Sequence, residues 1–368
     1  MQGVSYPALR SVLEHIKANC RLPLSARCPK ISRIEKSIPL RVDKICFMEN
    51  GVRINDVKYE VCLEYPKLAP IPSWPIYISV PKHPLTLRLY NYKSDRSIEK
   101  KFSRNYIGVE IATRKIVEYL LGGRNHFRVQ CLTIFNDGYE TMQYLFGLSI
   151  MKVSVLKNWK SGLPEFHPLV ERSPLKELHF EASHPTDFEN PIVRTAEKII
   201  IRDYEYHEPD LWLETHRNLP NKEVIIDTVI EGLTDISILD LIEYWKETRK
   251  PVGSSLSFHK SKDESYFVFL EKVMERFQGH YVKWKETNAK AVSIKVDSKS
   301  EIVVYGYGAF DEYDIVLNMV IKVVAVKSSA EKLRDVVKKL LNYSAFIVLP
   351  FVLPFFAVLI LIFIVFHS

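Results

Sequence analysis

The chain of 368 residues has only five cysteines, and their spacing argues against a disulfide framework or a zinc site. They are Cys20, Cys28, Cys46, Cys62 and Cys131. Their number is odd, and no two of them form the Cys-x-x-Cys pair that structural zinc sites favour. We therefore expect free thiols in a reducing compartment, and no metal or other cofactor.

The sequence also lacks the common catalytic motifs. It contains no HExxH, no GxSxG, no P-loop and no GxGxxG fingerprint between a strand and a helix. Three weaker signals have ordinary structural interpretations. We interpret Tyr305-Gly306-Tyr307-Gly308 as a turn, His207-Glu208-Pro209-Asp210 as a helix cap, and His179 and His184 as surface or half-buried histidines. The sequence thus predicts a protein that is not an enzyme.

We expect no secretory signal peptide either, because Arg10, Glu14 and Lys17 interrupt any apolar run at the N-terminus. The formal net charge is +7, from 51 basic and 44 acidic residues scattered along the chain. Such a weak excess fits a cytosolic surface or an acidic partner and argues against nucleic acid as a ligand. We expect the body of the protein to lie in the cytosol or nucleus.

Short helices are predicted for residues 3–38. Leu9, Val12, Leu13 and Ile16 recur at helical spacing and form one apolar face. About thirty residues of small helices cannot bury themselves well alone. This unit should therefore pack onto the rest of the chain or onto a partner.

The period of the apolar residues changes to two after this unit. Residues 39–65 alternate around Asn50-Gly51, which predicts β-hairpins. Residues 66–105 contain six prolines and a charged run, and they predict an irregular linker.

Residues 106–327 alternate between helical and β-rich runs. Strands are predicted near 127–134, 151–156, 175–180, 198–201, 223–226 and 254–258. Steps of about two to three dozen residues are typical of a leucine-rich-repeat-like αβ solenoid, which antiparallel C-terminal strands at 291–326 would cap. A Rossmann-like sheet is the alternative. The predicted fold class is α+β.

The C-terminal segment predicts one transmembrane helix. Residues 344–366 carry no charge and, at about 1.5 Å per residue, are long enough to cross about 30 Å of hydrocarbon. The preceding residues 328–343 predict a basic juxtamembrane helix, which places the body on the cytosolic side. A buried core helix and a mispredicted final exon are the alternatives. The expected membrane-spanning side chains include Phe346, Leu349, Phe351, Leu353, Phe355, Leu359, Leu361 and Phe363.

Several segments resemble a known family. They are YPALR at 6–10, VLEHI at 12–16, LSARCPKI at 24–31, IEKSIPL at 34–40, EYLLGGR at 118–124, LPNK at 219–222, YWKETR at 244–249 and IVVYG at 302–306. The first three resemble a divergent F-box. Together the segments resemble the nematode-expanded F-box C proteins, which carry an associated domain of unknown function. The resemblance covers about residues 3–327.

This resemblance implies a substrate receptor of a Skp–cullin–F-box ubiquitin ligase. In such proteins the F-box helices bind a Skp-type adaptor, and the following domain recruits a protein target. The residues that would contact the adaptor are Pro7, Leu9, Val12, Leu13, Ile16, Leu22 and Leu24. Two alternatives stay open: a ligase-independent, membrane-anchored interaction protein whose N-terminal helices are simply part of the fold, and an unrecognised hydrolase or transferase.

Overall fold

In a computed structural model of the protein, the described residues form nine α-helices and fifteen β-strands. The structure describes residues 6–63, 85–101, 108–124, 126–148, 150–161, 163, 174–204, 209–229, 233–260, 266–285, 289–310 and 315–326. The helices are α1 (Tyr6–His15), α2 (Ala18–Arg27), α3 (Pro29–Lys36), α4 (Val109–Leu121), α5 (Gly138–Gln143), α6 (Pro191–Thr195), α7 (Pro209–Arg217), α8 (Asp235–Glu247) and α9 (Tyr266–Phe277). The strands are β1 (Leu40–Met48), β2 (Gly51–Ile54), β3 (Val57–Leu63), β4 (Leu85–Asn91), β5 (Arg96–Lys101), β6 (His126–Ile134), β7 (Ile150–Ser161), β8 (Glu177–Ala182), β9 (Lys198–Tyr204), β10 (Glu223–Val229), β11 (Ser255–Lys260), β12 (His280–Lys283), β13 (Lys290–Lys295), β14 (Ser300–Phe310) and β15 (Ile315–Ala325).

All of these strands belong to one mixed sheet, in the order β12-β13-β14-β15-β11-β10-β9-β8-β7-β6-β1-β2-β3-β4-β5. Strand β1 and strands β6 to β11 run parallel, whereas the strands at both ends of the sheet pair antiparallel. Parallel neighbours need a crossover connection, and helices α5 to α8 lie in these connections.

The main core lies on one face of the sheet, and a smaller buried cluster of Ala291, Val303, Tyr305 and Val320 lies on the opposite face of the C-terminal strands. Inward-facing side chains such as Val129, Leu178 and Ile199 are buried together with Leu241 and Trp245 of α8. Their neighbours along each strand point to the opposite face because side chains alternate in a strand. We call that opposite face, which carries Arg128, Lys152, Glu177, Lys198 and Glu223, the outer face.

The predicted architecture of a leucine-rich-repeat-like solenoid beside separate hairpins is wrong. Strand β1 of the hairpin region pairs with β6 from Leu40↔Phe127 to Phe47↔Ile134, and β15 pairs with β11 from Ser255↔Lys322 to Lys260↔Leu317. An open strand edge exposes unpaired N–H and C=O groups, and these pairings satisfy them on both sides of the parallel strands. The hairpins and the C-terminal strands therefore continue a single sheet.

The stretch 66–105, expected to be an irregular linker, contains two strands. Strand β4 pairs with β3, and β5 pairs with β4 from Thr86↔Lys101 to Asn91↔Arg96. Leu85, Leu87 and Leu89 alternate along β4, but the charged sequence of β5 hides the edge strand from a hydrophobicity pattern. Residues 66–84 and 102–105 of this stretch lie outside the described residues.

The expectation of a transmembrane helix is not supported. No helix in the described part of the chain is both long and apolar enough to cross a bilayer. Residues 328–343 and 344–366, with the side chains from Phe346 to Phe363 that were expected to span the membrane, lie outside the described residues.

Candidate partner-binding surfaces

The first two helices and the connection between them, which contains Ile16, carry all the side chains that the resemblance assigns to a Skp-type adaptor. Pro7, Val12 and Leu24 are exposed, Leu9 and Ile16 are half-buried, and Leu13 and Leu22 are buried. Leu13 has no exposed surface, and Leu22 belongs to the main hydrophobic core. The apolar surface that a partner can reach on α1 and α2 is therefore narrower than predicted. We call the exposed set Tyr6, Val12 and Leu24 the helical patch.

A buried charge cluster fixes this helical unit to the sheet domain. The Glu35 carboxylate of α3 is fully buried between two guanidinium groups. Arg21 Nε of α2 donates to Glu35 Oε1 at 2.7 Å, and Arg124 Nη2, just after α4, donates to Glu35 Oε2 at 2.5 Å. The cluster joins two helices of the N-terminal unit to a helix that packs on the sheet.

Backbone carbonyls complete the cluster. Arg21 Nη2 also donates to the carbonyls of Glu35, at 3.1 Å, and Ile38, at 2.8 Å. Burial lowers the pKa of Arg124, the hydrogen bond and charge of Glu35 act to raise it, and Arg21 lowers it further. A buried charge is tolerated only when it is paired and hydrogen-bonded, so the helical unit has one defined orientation on the sheet.

Sequence reasoning missed the roles of Glu35 and Arg124, although both lie in segments that carry the family resemblance. The one local signal in the sequence was the Gly122-Gly123 pair directly before Arg124, which indicates a turn at the end of α4. In the structure Gly123 has a positive φ of 72°. That turn lets the chain leave α4 and direct the arginine towards α3. Nothing in the sequence alone pairs positions 89 residues apart.

A polar groove of about 790 Å³ lies where α1 and α2 meet the start of β1. Its lining includes Glu14, Lys17, Asn19, Arg41 and Asp43. Acidic and basic side chains are mixed in it, so the groove is suited to a polar segment of a partner and not to an apolar one.

Charged residues of alternating sign cross the outer face on neighbouring strands. Lys198 of β9 lies between Glu177 of β8 and Glu223 of β10 in register, with its Nζ 3.8 Å from Glu177 Oε2 and 3.2 Å from Glu223 Oε1. Burial alone would raise the pKa of Glu177, but the hydrogen bond from His179 and the charges of His179, Lys198 and Lys157 lower it overall. We call Glu177, Lys198 and Glu223 the paired row.

His179 lies beside the paired row and is buried, contrary to the expectation of a surface or half-buried histidine. Its Nε2 contacts Glu177 Oε1 at 2.5 Å. Burial lowers the pKa of His179, and the charges of Lys157 and Arg202 lower it further, while the hydrogen bond and charge of Glu177 oppose the shift. The ring is therefore mainly neutral at pH 7, with its proton placed to donate to Glu177.

An aromatic and cationic stack lies further along the same face. The Arg202 guanidinium sits 3.8 Å from the centroid of a Trp159 ring, and Phe135 stacks on the same indole at 6.2 Å. Trp159 is half-buried, unlike Trp212 and Trp245, which are core residues. Tryptophan and arginine dominate the energetics of many interfaces, so this stack is a second candidate contact surface.

The weaker sequence signals have structural roles. His184 caps the short 3-10 helix Pro185–Glu189, with its backbone N–H donating to Asp187. The predicted cap at 207–210 lies partly outside the described residues, and Pro209 begins α7. The predicted turn at 305–308 is wrong, since these residues lie inside β14. Gly306 is needed there because a Cβ atom would come within 2.6 Å of the Tyr266 ring.

A metal ion needs several ligating side chains held close together. Within the described ranges, no group of three His, Cys, Asp or Glu side chains could hold a metal ion. All five cysteines are free thiols, and burial raises the pKa of Cys46.

Residues 108–262 are covered by a domain of unknown function, DUF3557. This domain starts at the N-cap residue of α4 and ends just after β11, so it contains the parallel strands β6 to β11 with their helices. Helices α1 to α3, the hairpins and the C-terminal antiparallel strands lie outside it. No curated protein and no solved structure matches the chain.

Proposed function

We propose that this protein is a substrate-recognition adaptor of a Skp–cullin–F-box ubiquitin ligase. In this proposal the helical patch of α1 and α2 binds a Skp-type adaptor, and the outer face of the sheet recruits the protein target. The observation that supports it is the exposure of Val12 (54%) and Leu24 (42%) on a helical unit that the Arg21–Glu35–Arg124 cluster holds in place. A fixed helical unit presents these apolar side chains to a partner in one defined orientation, which lowers the entropic cost of binding.

A ligase needs its receptor to hold a target at a defined position relative to the adaptor. The buried cluster meets this need because it joins α2 and α3 to the end of α4 without a flexible linker. Ala18 and Leu22 of α2 are also part of the main core, so the helical unit and the sheet pack as one body.

The same packing supports a second candidate, a ligase-independent protein-interaction module. Because Leu13 and Leu22 are buried in the fold, α1 and α2 have a structural role that requires no Skp-type partner. A Leu13→Asp change buries a charge and destabilises the protein under either proposal, so it does not separate them.

Exposed residues separate the two candidates. We expect Val12→Asp and Leu24→Asp in the full-length chain to leave the melting temperature unchanged and to raise the Kd for a recombinant Skp-type adaptor about tenfold or more. Val268→Asp is the matched control because Val268 lies on α9, far along the chain, with a similar exposure of 47%. The ligase proposal is contradicted if the unmodified protein does not bind the adaptor. It is also contradicted if neither substitution weakens adaptor binding, and either result favours the second candidate.

A further inference from the structure

Three basic side chains lie side by side on the outer face of the sheet. Arg41 of β1 is in register with Arg128 of β6, and Arg128 is in register with Lys152 of β7. Buried core residues flank each of them along its strand, such as Phe127 and Val129 beside Arg128, so the three cations share one face. We call Arg41, Arg128 and Lys152 the basic row.

The basic row has no counter-charge within the described part of the chain. All three side chains are exposed, and none of the described carboxylates lies within ion-pair distance of any of them. Asp43 is two residues from Arg41 on the same strand and still makes no such pair. Like charges on directly opposed positions of neighbouring strands repel and destabilise a sheet.

The same face shows that this sheet can supply counter-charges. In the paired row, Lys198 alternates with Glu177 and Glu223 on three neighbouring strands. Neighbouring strands that carry like charges lose stability through repulsion. Such an arrangement is expected where the surface has a function that requires it. The missing negative charge of the basic row is therefore what a ligand would provide.

We propose that the basic row binds an acidic segment of a protein partner through its Asp and Glu carboxylates. Neighbouring strands are about 4.8 Å apart, so the row spans about 10 Å, which a short extended peptide laid across the strands can cover. Each carboxylate can accept charge-assisted hydrogen bonds from a guanidinium or ammonium group.

Charge distribution favours a protein segment over nucleic acid. The carboxylate of Glu177 lies on the same face on β8, the strand next to β7, and those of Glu223 and Asp227 lie on β10, two strands further on. A continuous polyphosphate chain would meet them and be repelled, whereas a short acidic peptide needs only the basic row. This inference rests on the proposed function in one respect, namely that the sheet is the part that recruits the target.

The experiment measures binding of fluorescent octaglutamate to the full-length protein by anisotropy, with octaglutamine as the neutral probe. We expect octaglutamate to bind at low ionic strength, octaglutamine not to bind, and salt to weaken the complex. Arg128→Gln should raise the Kd about tenfold, the loss of one charge-assisted contact, and the triple substitution of Arg41, Arg128 and Lys152 by Gln should abolish binding. Arg96→Gln on the edge strand β5 is the matched control and should leave the Kd unchanged.

Several results would overturn the inference. Equal binding of the two probes, an effect of Arg96→Gln as large as that of Arg128→Gln, or tighter binding of an oligothymidylate than of octaglutamate would each do so. Failure of the ligase proposal is visible separately, because Val12→Asp should weaken adaptor binding and leave octaglutamate binding intact, whereas Arg128→Gln should weaken octaglutamate binding and leave adaptor binding intact.

Discussion

Two groups of basic side chains lie near the start of β1, and they differ in how their charge is compensated. In the interior, Arg21 and Arg124 share the carboxylate of Glu35, and Arg21 also bonds to backbone carbonyls. On the outer face, the basic row has no carboxylate among the described residues. Water can solvate an exposed cation but not a buried one, so only the interior group needs a partner from its own chain. The exposed group is free to take its partner from another molecule.

The largest effect on stability is expected when the carboxylate shared by Arg21 and Arg124 is removed. Glu35→Gln leaves two buried guanidinium groups without a counter-charge, and we expect a loss of about 3–5 kcal/mol in the free energy of unfolding. Urea denaturation measures it from the midpoint at unchanged slope. Glu118→Gln is the matched control, because Glu118 pairs with Arg114 on an exposed helix surface, and it should change the stability little. A midpoint for Glu35→Gln close to that of the control would show that the cluster does not hold the helical unit in place.

Much of the local structure could be predicted from the sequence. The predicted strand at 127–134 matches β6, because the alternation of apolar side chains is a local signal. The continuity of the sheet could not be predicted, since the pairing of Leu40 with Phe127 joins residues far apart in the chain. Edge strand β5 was missed because it has no buried side chain.

The candidate sites were predicted less well than the strands. The helical spacing of Leu9, Val12 and Leu13 indicated an apolar face but could not divide it into a core side and a partner side. Arg128 and Lys152 each lie in an alternating segment, so their outward direction could be read from the sequence. Their adjacency could not, because it depends on the register between β6 and β7.

The next test converts the paired row into a row of one sign. Lys198→Glu removes two ion pairs and places three carboxylates on neighbouring strands, and we expect a loss of about 1 kcal/mol because the side chains are partly exposed. Lys100→Glu on β5 is the control, since Lys100 is opposite Leu87 and not a carboxylate. Thermal melts at neutral pH compare the two variants.

The pH dependence of this effect has a defined sign. The pKa of Glu177 is lowered in the folded protein, so its contribution to stability is full at neutral pH and is lost as the pH falls through the carboxyl range. The Lys198→Glu variant should therefore be closest to the unmodified protein in acid, where the carboxylates are protonated. A gap in melting temperature that widens in acid would contradict this account of the row.

The smallest expected effect is a gain in stability. Arg128→Glu places a carboxylate between Arg41 and Lys152, which gives the basic row the alternating pattern of the paired row. We expect the free energy of unfolding to rise by about 0.5 kcal/mol at low ionic strength and the gain to shrink in high salt. The same substitution should abolish octaglutamate binding, so stability and binding move in opposite directions. If Arg128→Glu lowers both the stability and the octaglutamate binding, Arg128 stabilises the sheet itself. A gain in stability together with a loss of binding is what a surface selected for an external partner requires.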